Sequence, residues 1–228
     1  MEKQWKWKKF LWKYSLEYDG TVYSIINKRR IFTKGYWDIF IPFLAIFKNP
    51  EILMIGLGGG TVLYESNKIF NGNFSMDIVE ISKESVEKAS EVIDLKNGNI
   101  IIGDGFEFLL KNNKKYDIII LDAYRDRRIP ENFISQDFFL AAFNSLKENG
   151  ILLVNYALNA YGIMKIKDFK KYAEEYFLTF RIGPTMLEEN IIIVCSKIFG
   201  IDDIKSKFKM INIFPPWLKR RVLKLKKL

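Results

Sequence analysis

The stretch Ile-Leu-Met-Ile-Gly-Leu-Gly-Gly-Gly at residues 52–60 decides the fold class. Its first half, 52–55, is a short continuous apolar run, which is typical of a strand that is buried on both faces of a sheet. Its second half ends the strand with glycines, where the backbone can approach a ligand closely, and Thr61 begins a predicted helix. A buried strand, a glycine-rich turn and a helix form the first unit of a doubly wound α/β fold.

The alternation of strand and helix continues along the chain. Apolar runs predict further strands, and the amphipathic segments between them predict helices. The predicted strands cover 75–81, 99–102, 116–122, 151–155 and 190–195, and the predicted helices cover 36–47, 61–67, 83–92, 105–110, 135–148 and 165–176. The sequence therefore predicts an α/β fold with a doubly wound, mostly parallel sheet.

The positive charge of the chain lies at its two ends. The protein has 228 residues, of which 49% are hydrophobic, and a net charge of +9. Residues 1–35 carry nine lysines and arginines against three acids, residues 201–228 carry nine against two, and the middle is mildly acidic. We predict a basic N-terminal segment with a β-hairpin around Asp19-Gly20 over 1–35, a nucleoside-binding transferase domain over 36–200, and a basic C-terminal tail over 201–228. Residues 217–228 of the tail predict a short amphipathic helix.

The absence of histidine excludes several kinds of enzyme. Ser-His-Asp and Cys-His hydrolases and the usual zinc enzymes all need imidazole, and we predict no metal site. The single cysteine, Cys195, cannot form an internal disulfide and is predicted to be a core residue. Because the sequence shows neither a convincing secretory signal nor an apolar run of membrane length, we predict a cytoplasmic protein.

Unusual residues follow the predicted strands at their carboxyl ends, where ligands bind in such folds. Glu80 ends the second strand, where a carboxylate can accept hydrogen bonds from both ribose hydroxyls. Asp104 follows the third strand and Asp122 ends the fourth. This combination predicts a nucleoside site. The structural alternatives are a tight turn for the glycines, a helix N-cap for Asp104, and a helix or turn cap for Asp122.

Residues 122–139 resemble the signature of the polyamine aminopropyltransferases, the spermidine synthase family. Its usual form is Asp-Ser-Ser-Asp-Pro-x-Gly-Pro-Ala-Glu-x-Leu-Phe-Ser-x-Glu-Phe-Tyr, and Asp122, Glu131, Ser135 and Phe138 keep their places. Residues 103–109 and 79–81 are similar to the family's strand-three loop and ribose-binding strand. The resemblance covers about residues 36–197. It implies the Rossmann-like fold of S-adenosylmethionine-dependent methyltransferases.

The resemblance implies a sulfonium nucleoside as co-substrate, either S-adenosylmethionine or its decarboxylated form. The glycine loop would lie near its tail, Glu80 would hold the ribose, and Asp104 in the Asp104-Gly105 turn would bind the adenine amino group. Asp122 matches the catalytic aspartate that orients and deprotonates an amine. The implied donor-binding residues are Gly56, Gly58, Gly60, Glu80, Asp104 and Gly105, and the implied acceptor-binding residues are Tyr124, Arg125 and Asp126.

The chain departs from the family pattern where the acceptor is expected. Gly59 stands where the family loop has an aspartate, and Arg125 stands at the second aspartate of the signature, with Asp126 one residue out of register. An arginine there repels a diamine dication. We therefore expect either intact S-adenosylmethionine as the donor or an acceptor less cationic than putrescine. The alternative is that the arginines belong to a solvated surface loop.

Three functions stay open from the sequence. The first is a spermidine synthase-like transferase that moves an aminopropyl or methyl group to a small amine-like acceptor. The second is a methyltransferase on nucleic acid or another anionic substrate, and the third is a catalytically silent nucleoside-binding or scaffold protein. We expect a homodimer. The basic ends can bind nucleic acid or an anionic membrane surface, although packing on the domain or on a sister subunit is the interpretation we favour.

Overall fold

The structure is a computed structural model that describes residues 4–124, 128–158, 166–184 and 190–228. These residues form an eight-stranded sheet flanked by helices and a separate three-stranded sheet at the N-terminus. The strands are β1 Lys6–Phe10, β2 Lys13–Tyr18, β3 Thr21–Asn27, β4 Glu51–Ile55, β5 Ser75–Glu80, β6 Gly98–Ile102, β7 Tyr116–Leu121, β8 Leu146–Ala157, β9 Leu178–Ile182, β10 Asn190–Ser196 and β11 Lys226–Lys227. The α-helices are α1 Phe40–Leu44, α2 Thr61–Phe70, α3 Lys83–Val92, α4 Gly105–Lys111, α5 Gln136–Ser145, α6 Ile166–Ala173, α7 Ile201–Met210 and α8 Pro216–Val222, with 3₁₀ helices at Tyr36–Ile39 and Glu131–Ile134.

The large sheet confirms the predicted mostly parallel architecture. Its strand order is β11-β9-β10-β8-β7-β4-β5-β6, and the strands from β6 to β8 are parallel neighbours. The strands β10, β9 and β11 extend the sheet in antiparallel fashion. Because the chain runs outward from β4 to β6 and then returns to the other side of β4 at β7, a crevice opens at the carboxyl ends of β4 and β7.

Two apolar cores, one on each face of the sheet, explain the continuous apolar run in β4. Ile52 and Met54 belong to the core beneath α1, α2, α3, α7 and α8. Leu53 and Ile55 point the other way, into the core beneath α4, α5 and α6. Alternate side chains of one strand therefore enter opposite cores, and none of the four is more than 2% exposed.

The N-terminal hairpin is confirmed, and β1 adds a strand that we did not predict. β1 pairs in antiparallel fashion with β2. The alternation of lysine with tryptophan here is the period of a strand, since Trp7 packs inward and its Nε1 donates to the Lys88 carbonyl at 2.8 Å. Lys6 and Lys8 lie on the exposed side.

The C-terminal residues differ from the prediction in their secondary structure. The predicted helix over 217–228 is wrong in extent, because α8 ends at Val222 and the chain then adds β11 to the edge of β9. Leu225 is buried together with Leu218 and Val222, so the apolar residues of the predicted helix do enter the core although the helix itself ends early. We also did not predict β9 and α7, and β8 begins at Leu146, inside the predicted helix over 135–148. Among the described residues, no helix has the length and apolar character needed to cross a bilayer.

Candidate active site

A pocket of about 1330 Å³ lies at the carboxyl ends of the parallel strands, where the sequence placed the site. The loops after β4, β5, β6, β7 and β8 form its floor and sides, and the N-terminal sheet forms one wall. Of the predicted residues that the structure describes, Gly56, Gly58, Glu80, Asp104, Gly105, Asp122 and Tyr124 line it. Gly60 is not among the described lining residues. Arg125 and Asp126 lie outside the described residues.

The glycine loop after β4 needs glycine for reasons internal to the protein. Gly56 has φ of +94°, and a Cβ atom there would lie 2.4 Å from the carbonyl oxygen of Asp122. Gly58 has φ of +54° and would place a Cβ 2.9 Å from the carbonyl oxygen of Tyr23. Both φ angles favour glycine, and both neighbouring atoms belong to the backbone, so they cannot move aside as a flexible side chain could. The loop is therefore held between β7 and the N-terminal sheet, with its backbone facing the pocket.

Glu80 holds the glycine loop in place. Its Oε2 accepts hydrogen bonds from the backbone N–H groups of Leu57 at 2.7 Å and Gly58 at 3.2 Å, and its Oε1 accepts one from Ser82 at 2.9 Å. An ionised carboxylate has about four acceptor positions, so room for another donor remains on the pocket side. Glu80 can thus both fix the loop and accept a hydrogen bond from a ribose hydroxyl.

Asp104 has the structural role that we gave as its alternative, and it also lines the pocket. It is the N-cap of α4, and its Oδ1 accepts from the N–H groups of Phe106 at 2.8 Å and Glu107 at 3.2 Å. Its residue is exposed toward the pocket. Gly105 is buried against Ile55, where a Cβ would lie 2.3 Å from Cγ2. The predicted contact of Asp104 with adenine stays a prediction.

Side chains from distant segments of the chain bind the Asp122 carboxylate. Its Oδ1 accepts a hydrogen bond from Asn155 Nδ2 at 2.7 Å, and the Tyr36 hydroxyl donates to the carboxylate at 3.2 Å. Burial raises the pKa of Asp122 to about 6, although the hydrogen bonds from Asn155 and Tyr36 oppose this rise. A carboxylate with this pKa is ionised near neutral pH, yet it binds a proton far more readily than an ordinary aspartate.

The residues that orient Asp122 were missed in the sequence. Asn155 is held in turn by Asn190, whose Nδ2 donates to Asn155 Oδ1 at 2.7 Å. Asn155 follows the apolar run of a predicted strand, so the signal that found Glu80 and Asp122 was present there as well. Asn190 begins β10, an antiparallel strand, and its location at the same edge of the sheet depends on that orientation. Tyr36 does not follow a predicted strand, so no comparable sequence pattern pointed to it.

Tyr124 also lines the pocket, but its hydroxyl already donates a hydrogen bond within the protein. It donates to the backbone carbonyl of Asn155 at 2.8 Å. Burial raises the pKa of Tyr124 well above its ordinary value, with a further contribution from the Asp122 charge. The phenol therefore stays protonated and is a wall of the pocket rather than a base.

The N-terminal sheet closes the pocket on the side of the glycine loop. The N–H of Gly59 donates to Ser24 Oγ at 2.7 Å, and a Cβ at Gly59 would lie 2.7 Å from the Trp7 ring. Aromatic side chains of this sheet line the rim, with the Trp5 ring 4.8 Å from Tyr18 and 4.9 Å from Tyr23. In this chain the space beside Gly59 is filled by the N-terminal sheet and not by a carboxylate.

Charged groups of both signs line the pocket. The described lining residues include the acids Asp19, Glu80, Asp104 and Asp122 and the base Arg128. Backbone N–H groups already satisfy part of Glu80 and Asp104. Within the described ranges, no three carboxylate or thiol side chains come close enough together to hold a metal ion.

Comparison with known proteins gives the same family as the motifs. Residues 40–198 match the spermine/spermidine synthase domain. The polyamine aminopropyltransferase of Thermococcus kodakarensis is 25% identical over 72% of this chain, and that of Thermoplasma volcanium is 29% identical over 60%. The matches span 62% and 52% of those proteins' own lengths, so this chain matches little more than half of each.

A solved structure shares the fold. The crystal structure of a probable spermidine synthase from Corynebacterium glutamicum superposes with a TM-score of 0.69 at 15% identity, covering 96% of this chain and 90% of that one. The shared topology and the match to the domain over more than half of the residues lead to one conclusion. The chain belongs to the spermine/spermidine synthase family.

Proposed function

We propose that the protein transfers an aminopropyl group from decarboxylated S-adenosylmethionine to an amine other than putrescine. The observation that carries this proposal is Asp122, a half-buried carboxylate with a pKa of about 6 that opens onto a pocket shared with Glu80 and Asp104. Membership of the family supports the donor class. The acceptor is argued from this chain's own departures at Gly59 and Arg125.

The proposed reaction makes modest demands on the protein. The lone pair of the amine nitrogen attacks the carbon next to the sulfonium, the new N–C bond forms, and the C–S bond breaks with its electrons returning to sulfur. The nitrogen is left with one proton too many, and the Asp122 carboxylate accepts it. The donor carries its own leaving group, so the protein has to align two reactants and keep the amine neutral. Neither task needs histidine.

The donor side of the pocket suits a nucleoside. The glycine loop allows a close approach of the backbone, Glu80 retains an acceptor position, and Asp104 lies one loop away at the end of β6. On the acceptor side, Tyr36 and Asn155 hold the Asp122 carboxylate toward the same space. We therefore expect an amine bound at Asp122 to lie beside the donor tail.

Calorimetric titration tests the donor, with decarboxylated S-adenosylmethionine, S-adenosylmethionine and methylthioadenosine as ligands. We expect the decarboxylated donor to bind more tightly than the intact one. Tighter binding of the intact form would favour methyl transfer instead. If none of the three binds at millimolar concentration, the proposal fails.

An assay of methylthioadenosine release tests the acceptor. The decarboxylated donor is offered with putrescine, with longer polyamines, and with monoamines that carry a single charge. We expect faster release with a monoamine than with putrescine. Preferred turnover of putrescine would show that neither Gly59 nor Arg125 excludes a diamine.

A further inference from the structure

Three consecutive apolar side chains are exposed at the turn between β1 and β2. Phe10 is 76% exposed, Leu11 is 60% exposed and Trp12 is 42% exposed, and we call these three residues the hairpin tip. Single exposed apolar residues are ordinary on a protein surface, whereas a contiguous group marks an interaction site. Leu11 has φ of +53°, a region where a leucine is uncommon. The chain thus keeps a large apolar side chain where the backbone favours glycine or asparagine.

Four cations surround the hairpin tip. Lys9 and Lys13 flank it in sequence, and Arg29 and Arg30 follow β3 on the neighbouring turn. The Trp12 carbonyl accepts a hydrogen bond from the Lys28 N–H at 2.9 Å, and the Arg29 guanidinium lies 4.6 Å from the centre of the Trp12 ring. Among the described residues, no ion pair joins any of the four cations to a carboxylate. Within the part of the chain that the structure describes, the tip is therefore an apolar group surrounded by four cations that no carboxylate pairs with.

The second basic end of the chain lies next to this region. The Phe32 ring, two residues beyond Arg30, lies 6.4 Å from Phe214 and 6.1 Å from Trp217. Arg221 of α8 donates to the Gly35 carbonyl at 3.0 Å. The two basic ends are thus neighbours in space, and their potentials add.

We propose that the hairpin tip and its four cations bind the surface of an anionic phospholipid bilayer. Phe10 and Leu11 would enter the boundary between headgroups and acyl chains, while the lysine and arginine heads stay at the level of the phosphates. Indole rings such as that of Trp12 favour the same interface. This surface is separate from the pocket, so the proposal does not depend on the proposed reaction.

Charge and shape favour a bilayer over a second copy of the chain and over single-stranded nucleic acid. A second copy of the chain docked tip to tip would bring like charges together, since the tip carries no acid to pair with them. Single-stranded nucleic acid binds through free aromatic faces. One face of Trp12 is covered by Arg29 and Leu11 has no ring, so Phe10 is the one residue of the tip with an uncovered ring, whereas such binding uses several rings on which successive bases stack.

Flotation with lipid vesicles tests the apolar part of the surface. Vesicles of phosphatidylcholine alone are compared with vesicles that also contain phosphatidylserine. We expect binding to the anionic vesicles only, and a loss of about tenfold or more in the variant Phe10→Ser/Leu11→Asn, since the tip supplies the apolar contact. Asparagine tolerates the left-handed region, so this variant keeps the turn. The matched control, Leu110→Ser/Leu140→Ser, removes two exposed leucines from α4 and α5 and should bind normally.

The charged part is tested with Lys9→Gln/Lys13→Gln. Each surface cation contributes about fivefold to binding of an anionic membrane, so the pair should weaken binding roughly 30-fold. The control Lys48→Gln/Lys96→Gln removes two exposed lysines elsewhere and should have a much smaller effect. Equal binding of neutral and anionic vesicles, or no loss in the two tip variants, would overturn the proposal. The proposal would also be overturned if the wild-type protein did not bind vesicles but self-associated in sedimentation, or bound RNA, and the tip variants abolished that association or binding.

Discussion

The two sides of the pocket are built in different ways. On the donor side, Glu80 and Asp104 bind backbone N–H groups of their own loops, and Glu80 also binds those of Leu57 and Gly58 on the adjacent loop after β4. On the acceptor side, Asp122 is held by Tyr36 and Asn155, side chains that lie 86 and 33 residues away in the chain. The donor side is therefore a property of the sheet edge, whereas the acceptor side depends on how distant segments pack.

This difference suggests that donor binding and chemistry can be damaged separately. A change on the donor side should weaken the binding of the nucleoside and loosen the glycine loop. A change on the acceptor side should leave nucleoside binding nearly intact and impair either the proton transfer to Asp122 or the binding of the amine. A single variant that weakens nucleoside binding and also slows the chemistry at saturating donor would show that the two sides act as one unit.

Replacing Asp122 by asparagine should have the largest effect. Asparagine keeps the shape but cannot accept the proton, so we expect kcat to fall by about 10³-fold. The donor dissociation constant should change less than about threefold, since the proposed nucleoside contacts lie on the other side. Methylthioadenosine release and calorimetry measure the two quantities. Normal turnover would remove Asp122 from the chemistry, and the exposed-acid variant Glu107→Gln serves as control.

The same variant should change how stability depends on pH. The pKa of Asp122 rises from 3.8 to about 6 on folding, so the protonated form is favoured in the folded protein. The stability from this group is present below its unfolded pKa and is lost as the pH rises through about 6, at most about 3 kcal/mol at 1.36 kcal/mol per pKa unit. Denaturant unfolding at acidic and alkaline pH should show this loss in the wild type and not in Asp122→Asn. A loss of equal size in both proteins would contradict the assignment.

Replacing Glu80 by glutamine should act on the donor side. Glutamine retains one acceptor oxygen but loses the charge that strengthens the bonds from Leu57, Gly58 and Ser82. We expect the donor dissociation constant to rise about 30-fold, in line with about 2 kcal/mol for hydrogen bonds to a charged group. The kcat at saturating donor should change little. Calorimetry and a donor titration of the rate check this, and the exposed Glu84→Gln, four residues on, should behave as wild type.

Replacing Gly59 by alanine tests how firmly the N-terminal sheet packs against the glycine loop. The new Cβ would meet Trp7 at 2.7 Å and Ser24 Cβ at 2.8 Å, so one of them must move. Overpacking of this kind costs about 1–3 kcal/mol of the free energy of unfolding. The control is Gly103→Ala, since Gly103 lines the pocket and has no atom within 4 Å of its ideal Cβ. Equal stability of the two variants would mean that the sheet adjusts freely.

The sequence located the glycine loop and the acids at the strand ends better than the side chains that contact Asp122, for a physical reason. Strand, glycine turn and terminal acid are local features, so residues 52–60, Glu80 and Asp104 could be placed from their spacing. Tyr36 reaches Asp122 only because the 3₁₀ helix Tyr36–Ile39 packs against the sheet, and Asn190 reaches Asn155 only because β10 runs antiparallel to β8. Contacts of this kind follow from tertiary packing and leave no local pattern.

The basic ends show a similar limit. Composition located the charge at both ends, but it did not separate a segment that packs from one that projects. In the C-terminal end, Leu218, Val222 and Leu225 enter the core, and the lysines between them cover its surface. In the N-terminal end, Trp7 packs inward while Phe10 and Leu11 stay exposed. In β1 the alternation of Lys6 and Lys8 with Trp7 separates the exposed side chains from the one that packs inward. This period ends at the turn after Phe10.

Replacing Tyr36 by phenylalanine should have the smallest effect and the most specific one. The variant keeps the ring against Trp37 and removes only the hydroxyl that donates to Asp122. That hydrogen bond favours the ionised carboxylate, so its loss raises the pKa of Asp122 above about 6. The acidic limb of the kcat profile should therefore move to higher pH, by about one unit at most for a bond of this length.

The rate of Tyr36→Phe relative to wild type should thus be lowest below pH 6, by up to about tenfold, and return toward the wild-type value at alkaline pH, where the carboxylate is ionised in both proteins. The matched control is Tyr64→Phe, because the Tyr64 hydroxyl binds the backbone carbonyl of Asn27 at 3.3 Å, away from Asp122. Its pH profile should not move. A uniform loss at all pH values in Tyr36→Phe would instead mean that the hydroxyl positions the acceptor amine, and the proton would then have to reach Asp122 without help from this residue.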